Sequence, residues 1–333
     1  MAYGYKTSGM ARAVDEETYI GRRLRLRDLH VFFTVTQRGS MAKAAAELGI
    51  TQPAVSRVIA QLEHVLGVRL LDRGPQGVEA TMYGRALLSR GGVAFDELKQ
   101  AVRDIEFLAN PNVGEVRIGC PETIAVILPP VIEQLARRYP DVVPIVVGEV
   151  ASPSTDFSEL QARTVDLVVS RLFPPFVKRQ FSDDLNVEVL FDDNVVIAAG
   201  AESRWAGRRK IDLAELADEP WILAEPNTWT RTIIAEAFEA RGLKMPRVSL
   251  MTHSVLLRTD LVATGRFIAA LPGSVMHLYA RRFSLTALPV EIPGQPWPVA
   301  VVTLKNRTAS PVVKLFIDHL QIFSKSIAGR RNP

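Results

Sequence analysis

One cysteine in 333 residues, Cys120, leaves no partner for an internal disulfide and suits a reducing compartment. No run of about 18 apolar residues is present, so no segment reads as a membrane-spanning helix. There is no G-x-S-x-G elbow, no phosphate-cradling glycine loop and no His/Cys cluster at metal-ligand spacing. The five histidines, His30, His64, His253, His277 and His319, are scattered. These gaps exclude the common signatures of an enzyme, a membrane protein and a disulfide-stapled secreted domain. Catalytic residues, metal ligands and cofactors are therefore not expected. An excess of one charge is lacking too, since 40 Lys+Arg against 36 Asp+Glu give a formal net charge of +4. Affinity for nucleic acid then depends on where cations sit rather than on their total. The opening segment MAYGYKTSGMARAVDEETYIG is polar, mixed in charge and without an apolar core. It reads as a flexible extension over 1–24 and not as a secretory signal, so the expected location is the cytoplasm.

With 47% hydrophobic residues the chain is long enough to bury cores for two or three domains. Its most informative stretch is Ser40 to Glu63, SMAKAAAELGITQPAVSRVIAQLE, which reads as two short helices around a tight turn. Ala45 is small where the helices approach, Gly49 permits a left-handed turn, and Val55 fills the angle between them. Thr51 is placed to cap a helix starting at about Gln52, with Pro53 in its first turn. Val55, Val58, Ile59 and Leu62 form an inward stripe, leaving Gln52, Pro53, Ser56, Arg57 and Ala60 outward. Gln suits an adenine edge, Arg a guanine edge and Ser either, and a short helix fits the major groove of duplex DNA. Leu29, Phe32, Phe33 and Thr36 should supply the buried side of a supporting helix. The run LGVRLLDRGPQGVEATMYG follows as two short strands around a Gly-Pro turn, a wing. The candidate DNA-binding residues are Arg38, Ser40, Lys43, Thr51, Gln52, Pro53, Ser56, Arg57, Arg69 and Arg73. The cations among them either displace counterions from DNA or are solvated surface charges. Arg22, Arg23, Arg25 and Arg27, interleaved with leucines, read rather as a solvated helix entrance.

The run AELGITQPAVSRVIAQLEHVLGVRLLDR and the order of parts from about Leu26 to about Ile327 resemble the LysR-type transcriptional regulators. The resemblance implies recognition-helix roles for Gln52, Pro53, Ser56 and Arg57 and a wing role for Arg73. Gln76 and Ala80 stand where the family usually has a second wing arginine and a leucine. The wing RGPQGVEAT followed by YGRALL is most similar to the branch that includes galactose-binding-protein regulators. The implied fold is α+β multidomain: an N-terminal winged helix-turn-helix over 25–82, a linker and dimerisation helix over 83–110, and a C-terminal two-subdomain α/β effector domain of periplasmic-binding-protein type over 111–333.

From Tyr83 to Leu108 the residues Leu87, Gly91, Ala94, Leu98, Ala101, Ile105 and Leu108 recur at spacings of four and three. A seam of about three heptads wants a second helix, either that of another copy or this domain's own core. A dimer also places two reader helices about one DNA turn apart. The break ANPNVGE then opens the second half. There EVRIGC, PIVVGEV, VDLVVS, NVVIAAG, WILAE, RVSLMTH and FIAALP alternate with helical stretches in a β–α–β rhythm, expected to form parallel sheets covered on both faces. The resemblance implies subdomains at about 115–190 plus 267–333 and at about 191–266, with an effector between them.

Polar residues at strand ends are the candidate effector-binding set: Cys120, Pro121, Glu122 and Thr123; Ser152; Ser170 and Arg171; Thr228, Trp229, Thr230 and Arg231; His253 and Ser254. Thr123 and Ser254 also qualify as helix caps, and Arg171 and Arg231 as anion clamps or surface pairs. Glu122 would repel an anion, so a sugar fits as readily as an organic acid. The expected function is a sequence-specific DNA-binding regulator tuned by a small-molecule effector. Its partners are duplex DNA, the effector, a second copy in a homodimer and two dimers in a homotetramer, with RNA polymerase a further candidate and no membrane. The rival readings are a transport-type solute-binding protein, which shares the second half, and a hydrolase using Cys120 with His253.

Overall fold

The computed structural model describes residues 23–74, 77–148, 157–172, 184–226, 228–294 and 296–329. By contacts the chain divides into two units, Met1–Lys99 and Gln100–Pro333. Most of the expected extension, the wing position Gln76 and the cleft candidate Ser152 lie outside the described residues.

In the first unit three helices, α1 (Leu26–Arg38), α2 (Met41–Leu48) and α3 (Gln52–Leu66), pack around one core. The hydroxyl of Ser40 accepts the N–H of Lys43 at the start of α2, and that of Thr51 accepts the N–H of Ala54 at the start of α3. Each hydroxyl satisfies one of the amides that a helix start leaves without an internal partner. Gly49 ends α2 at φ +64°, the left-handed region that other residues resist. Val55, Ile59 and Leu62 bury the inner face of α3 against Ala44 and Ala45, while Val58 is half-buried. Helix α1 buries Leu29, Val31, Phe32, Thr34 and Val35. Phe33 and Thr36, expected inside, are only half-buried, because Phe33 turns to meet Phe95 edge-on at 5.2 Å and the Thr36 hydroxyl donates back to the Phe33 carbonyl.

The wing is an antiparallel pair, β1 (Leu71–Gly74) and β2 (Gly77–Ala80). It is tied down at both edges. The Glu63 carboxylate accepts the N–H groups of Leu70 and Leu71 at 2.8 and 3.2 Å, and the Val78 N–H donates to the Gly39 carbonyl at 2.9 Å.

Helix α4 (Met82–Ala109) runs 28 residues, about 42 Å at the usual rise. Its heptad positions divide into two groups. Leu87 joins the winged core and Gly91 is buried beneath Phe33. From Ala94 onward the same seam is open to solvent in the single chain: Leu98, Ile105 and Leu108 are 45, 66 and 75% exposed.

The second unit carries two five-stranded sheets. The first has the order β4-β3-β5-β12-β6 and the second β11-β7-β10-β8-β9. The strands of the first are β3 (Val113–Gly119), β4 (Asp141–Val147), β5 (Leu167–Arg171), β6 (Leu185–Asp193) and β12 (Trp297–Leu304). Those of the second are β7 (Val195–Gly200), β8 (Trp221–Leu223), β9 (Val248–Met251), β10 (Ile268–Pro272) and β11 (Leu285–Ala287). Successive residues feed separate cores on the two faces, as with Leu167 and Val169 against Val168, and Ile268 and Ala270 against Ala269 and Leu271. That explains the unbroken apolar strands.

Two expectations are corrected here. The sheets are mixed and not wholly parallel, since β12 runs antiparallel to β5 and β6 and β7 antiparallel to β10 and β11. The second lobe also extends past residue 267, because β10 pairs with β7 and β8, so the chain returns to the first lobe only at β12. A strand's hydrophobic pattern says that it is buried and not which sheet buries it.

Gly84 in α4 illustrates how close the wing and the helix start are. A Cβ there would lie 2.2 Å from the Leu70 carbonyl oxygen, a backbone atom with nowhere to move, whereas one at Gly92 would meet nothing within 4 Å. Gly84→Ala should therefore destabilise the winged unit by about 1–3 kcal/mol, while Gly92→Ala is neutral or stabilises by up to about 1 kcal/mol. Thermal melts of the two variants followed by circular dichroism check the contrast.

Candidate functional site

On the first unit Gln52, Pro53 and Arg57 are exposed and Ser56 is half-buried, all on the side of α3 away from Val55, Ile59 and Leu62. Lys43, Arg69 and Arg73 are exposed as well. Three of the candidates have structural duties instead. Ser40 and Thr51 spend their hydroxyls on caps, and Arg38 is ion-paired with Glu47 of the neighbouring helix. That pair raises the Arg38 pKa and lowers that of Glu47, through the hydrogen bond first in each case. Both side chains are exposed, so a competing phosphate can draw Arg38 away at little cost.

In the second unit a pocket opens between the lobes, lined by Thr123 and Arg171 from the first and by Thr228, Trp229, Thr230 and His253 from the second. Six of the strand-end candidates thus converge. The loop after β3 brings Thr123 through the short helix α5 (Glu122–Ala125), which leads into α6 (Leu128–Arg138); β5, which follows α7 (Ser158–Gln161), ends on Arg171; and the helix α8 (Trp229–Glu239) begins with Trp229 and Thr230. The cavity volume is about 40 Å³, room for about three waters. A larger ligand needs the lobes to part.

Against this geometry, the model of the LysR substrate binding domain matches residues 109–323, and that of the bacterial regulatory helix-turn-helix protein of the lysR family matches 26–85. The chain belongs to the LysR family. It is a LysR-type DNA-binding transcriptional regulator with an effector-binding domain. YdcI, an uncharacterized HTH-type transcriptional regulator of Escherichia coli K12, is 26% identical over 309 residues, covering 92% of this chain and 98% of its own. GbpR of Azospirillum brasilense is also 26% identical, over 294 residues, 88% of this chain and 84% of its own. The equal identities mark the family and not one branch of it. The crystal structure of full-length CbnR complexed with its target DNA shares the fold at a TM-score of 0.58 and 20% identity, over 90% of this chain and 100% of that one.

Within this LysR-type regulator Arg171 is not the open anion clamp that its position suggested. It is about 1% exposed, and its Nη2 and Nε donate to Asp193 at 2.7 and 3.3 Å. Nη1 donates to the Thr123 hydroxyl at 3.2 Å, Nη2 also reaches Ser274 at 3.2 Å, and the guanidinium lies 4.5 Å from the Trp229 ring centroid. Asp193 in turn accepts from the Ser274 hydroxyl at 2.6 Å and from the N–H groups of Ser274 and Asn194 at 3.0 Å each. Thr123 thus serves Arg171 rather than capping a helix.

Several other candidates stand apart from the pocket lining. Ser170 and Arg171 are neighbours on one strand and so face opposite ways, and the buried Ser170 donates to the Arg171 carbonyl. Ser254 caps the helix α9 (Val255–Ala263) by accepting the Leu257 N–H. The Glu122 carboxylate accepts the Val255 N–H at 2.9 Å, bridging the lobes at the start of α9. Pro121 is the buried residue before α5, and Arg231 lies one position past the lining, its pKa lowered by burial. Cys120 is fully buried, and burial pushes its thiol up to about 12, opposite to what a nucleophile needs. His253, which does line the pocket, lies 3.3 Å from the Glu225 carboxylate, both well exposed.

Among the described residues Ala224, Arg258 and Pro272 also line the pocket and were missed. Arg258 left a trace in the sequence: it falls with Val255, Thr259 and Val262 on the buried side of an apolar helix, where a lone cation is out of place. Asp193 left none, since nothing in LFDDN separates it from Asp192.

The Arg171–Asp193 pair joins the ends of β5 and β6 to the helix α10 (Gly273–Tyr279) of the second lobe. Asp193→Asn removes its counter-charge without changing shape, so the regulator should lose about 3–5 kcal/mol of stability. Urea unfolding followed by tryptophan fluorescence measures this, and an unchanged midpoint would show the pair to be dispensable.

Proposed function

We propose that this regulator reads duplex DNA with Gln52, Ser56 and Arg57 of α3 while Lys43, Arg69 and Arg73 contact phosphates. The observation that supports the reading is the exposed polar face of α3 set against a fully buried apolar one, with the wing held beside it. CbnR, solved with its target DNA, has this fold and lends it support. A small-molecule effector, a sugar or an organic acid, binds the pocket between the lobes. Binding that favours one lobe angle over another shifts the population of regulators able to hold or bend the operator. An effector indifferent to that angle regulates nothing, however tightly it binds.

Two copies pair through the exposed stretch of α4 from Ala94 to Leu108, and two such dimers form a tetramer on DNA, with RNA polymerase the partner of the bound complex. No helix among the described residues is long and apolar enough to cross a membrane, and the cytoplasm is the compartment that suits a DNA reader. Catalysis has no place in this reading, the Cys120 thiol being buried and un-ionised at neutral pH.

Fluorescence anisotropy with a labelled duplex from the promoter of the protein's own gene tests the reader. Arg57→Ala should weaken binding about tenfold or more and relax base preference at one position. Lys43→Ala should weaken all sequences alike and reduce the salt dependence by about one charge. Undiminished affinity in both variants would sink the assignment. Sedimentation tests the pairing: Ile105→Glu places a charge on the seam and should shift the protein from dimer or tetramer toward monomer without changing its helix content.

A further inference from the structure

We propose that the effector is a small carboxylate and that Arg258 is the residue that reads its charge. The inference rests on the pocket between the lobes being the effector site, and it names the ligand class. Arg258 lies on α9, is about 1% exposed, and lines that pocket. Its Nη1 donates to the Ala270 carbonyl at 3.2 Å and its Nη2 to those of Thr252 and His253 at 3.1 and 3.4 Å. These partners orient the guanidinium without neutralising it. Among the described residues it makes no ion pair, Glu122 acting on it only through space, and its buried Nε–H has no hydrogen-bond partner. Buried cations are almost always paired, so one left unpaired at a pocket is an anion site awaiting its anion.

The rest of the lining points the same way. Among the described residues the indole N–H of Trp229 is also buried without a partner, so two orphaned donors belong to residues of one pocket. Among the described residues no Asp or Glu lines it. Arg171, the other arginine among the described lining residues, is already neutralised by Asp193 and offers no competing charge. Glu122, which the sequence suggested would repel an anion, turns its carboxylate to the Val255 N–H instead and is exposed, so water weakens its field at Arg258 without abolishing it. Burial holds the Arg258 pKa down to about 10, with Glu122 opposing, which still leaves the guanidinium charged at neutral pH. The cavity of about 40 Å³ has room for a carboxylate head, and the chain behind it needs the lobes to part.

The test is differential scanning fluorimetry of the full chain with sodium propionate and sodium lactate. Propionamide and lactamide serve as neutral counterparts, D-galactose as a neutral polyol, and sodium chloride matches the ionic strength. The carboxylates should raise the melting temperature saturably, and the amides and chloride should not. Arg258→Gln should weaken the apparent carboxylate affinity by at least about tenfold, with duplex DNA binding unchanged. Arg258→Lys keeps the charge and should retain a reduced response, which guards against a simple folding defect. Equal stabilisation by amide and acid, or no saturable shift with either carboxylate, overturns the proposal. A galactose shift that Trp229→Ala abolishes would keep the pocket as the effector site and discard the carboxylate. A carboxylate shift that survives both Arg258→Gln and Trp229→Ala would place binding elsewhere and discard the pocket as well.

Discussion

The buried ion pair between Arg171 and Asp193 is the constraint around which the effector domain is organised. Both charges are withdrawn from water, which is tolerable only because the donors and acceptors around them are met by Thr123, Ser274 and the backbone of Asn194. The partners come from β5, from the end of β6 where the chain crosses between lobes, and from the start of α10 on the far side. The pair therefore sets where the crossing strands meet and leaves Trp229 stacked on the guanidinium as one wall of the pocket. A second ring, Trp297 at the return crossing, lies 5.6 Å from Trp229. The hinge is thus rigid in its chemistry while the space beside it remains open to a ligand.

Strand β5 links this hinge to the linker helix. Arg171 ends the strand, and Asp166, just before its first residue, accepts from Arg307 at 2.9 Å and from the Arg117 N–H at 2.8 Å. Asp166 also lies 3.5 Å from Gln100 and 3.9 Å from Arg103, both on α4. Four residues of strand, Leu167 to Ser170, thus separate a charge cluster that holds the linker from one that lines the pocket. A short strand in a packed sheet does not stretch, so a displacement at one end is felt at the other.

The reader was legible almost to the residue. The cap at Thr51, the turn at Gly49, the stripe Val55, Ile59, Leu62 and the wing after Arg69 all depend on neighbours close in sequence, where local stereochemistry decides. The effector domain was legible strand by strand but not sheet by sheet. β6, β11 and β12 were not foreseen, and β10 was placed in the wrong lobe, because pairing between distant strands leaves no mark in the pattern of either. In the pocket, six of the residues flagged by their place at strand ends and helix starts converged, and the others were spent on caps, backbone contacts or the core. The residues that give it its charge did not announce themselves, since Arg258 hides in an apolar helix and Asp193 beside an identical residue.

What this chain's sequence determined by itself is the class of machine: a helix-turn-helix reader with its polar face outward, a long helix with a heptad seam, and β–α–β lobes behind it. Each follows from periodicity and from the conformational preferences of single residues, which are local. What only the tertiary structure decided is which charges are spent and which are left over. Arg171 ends a strand and Arg258 lies inside a helix, yet among the described residues the first pairs with Asp193 while the second donates to carbonyl oxygens. Electrostatic neutrality in a buried site is a property of the groups gathered there from positions far apart, and no single stretch of sequence contains it.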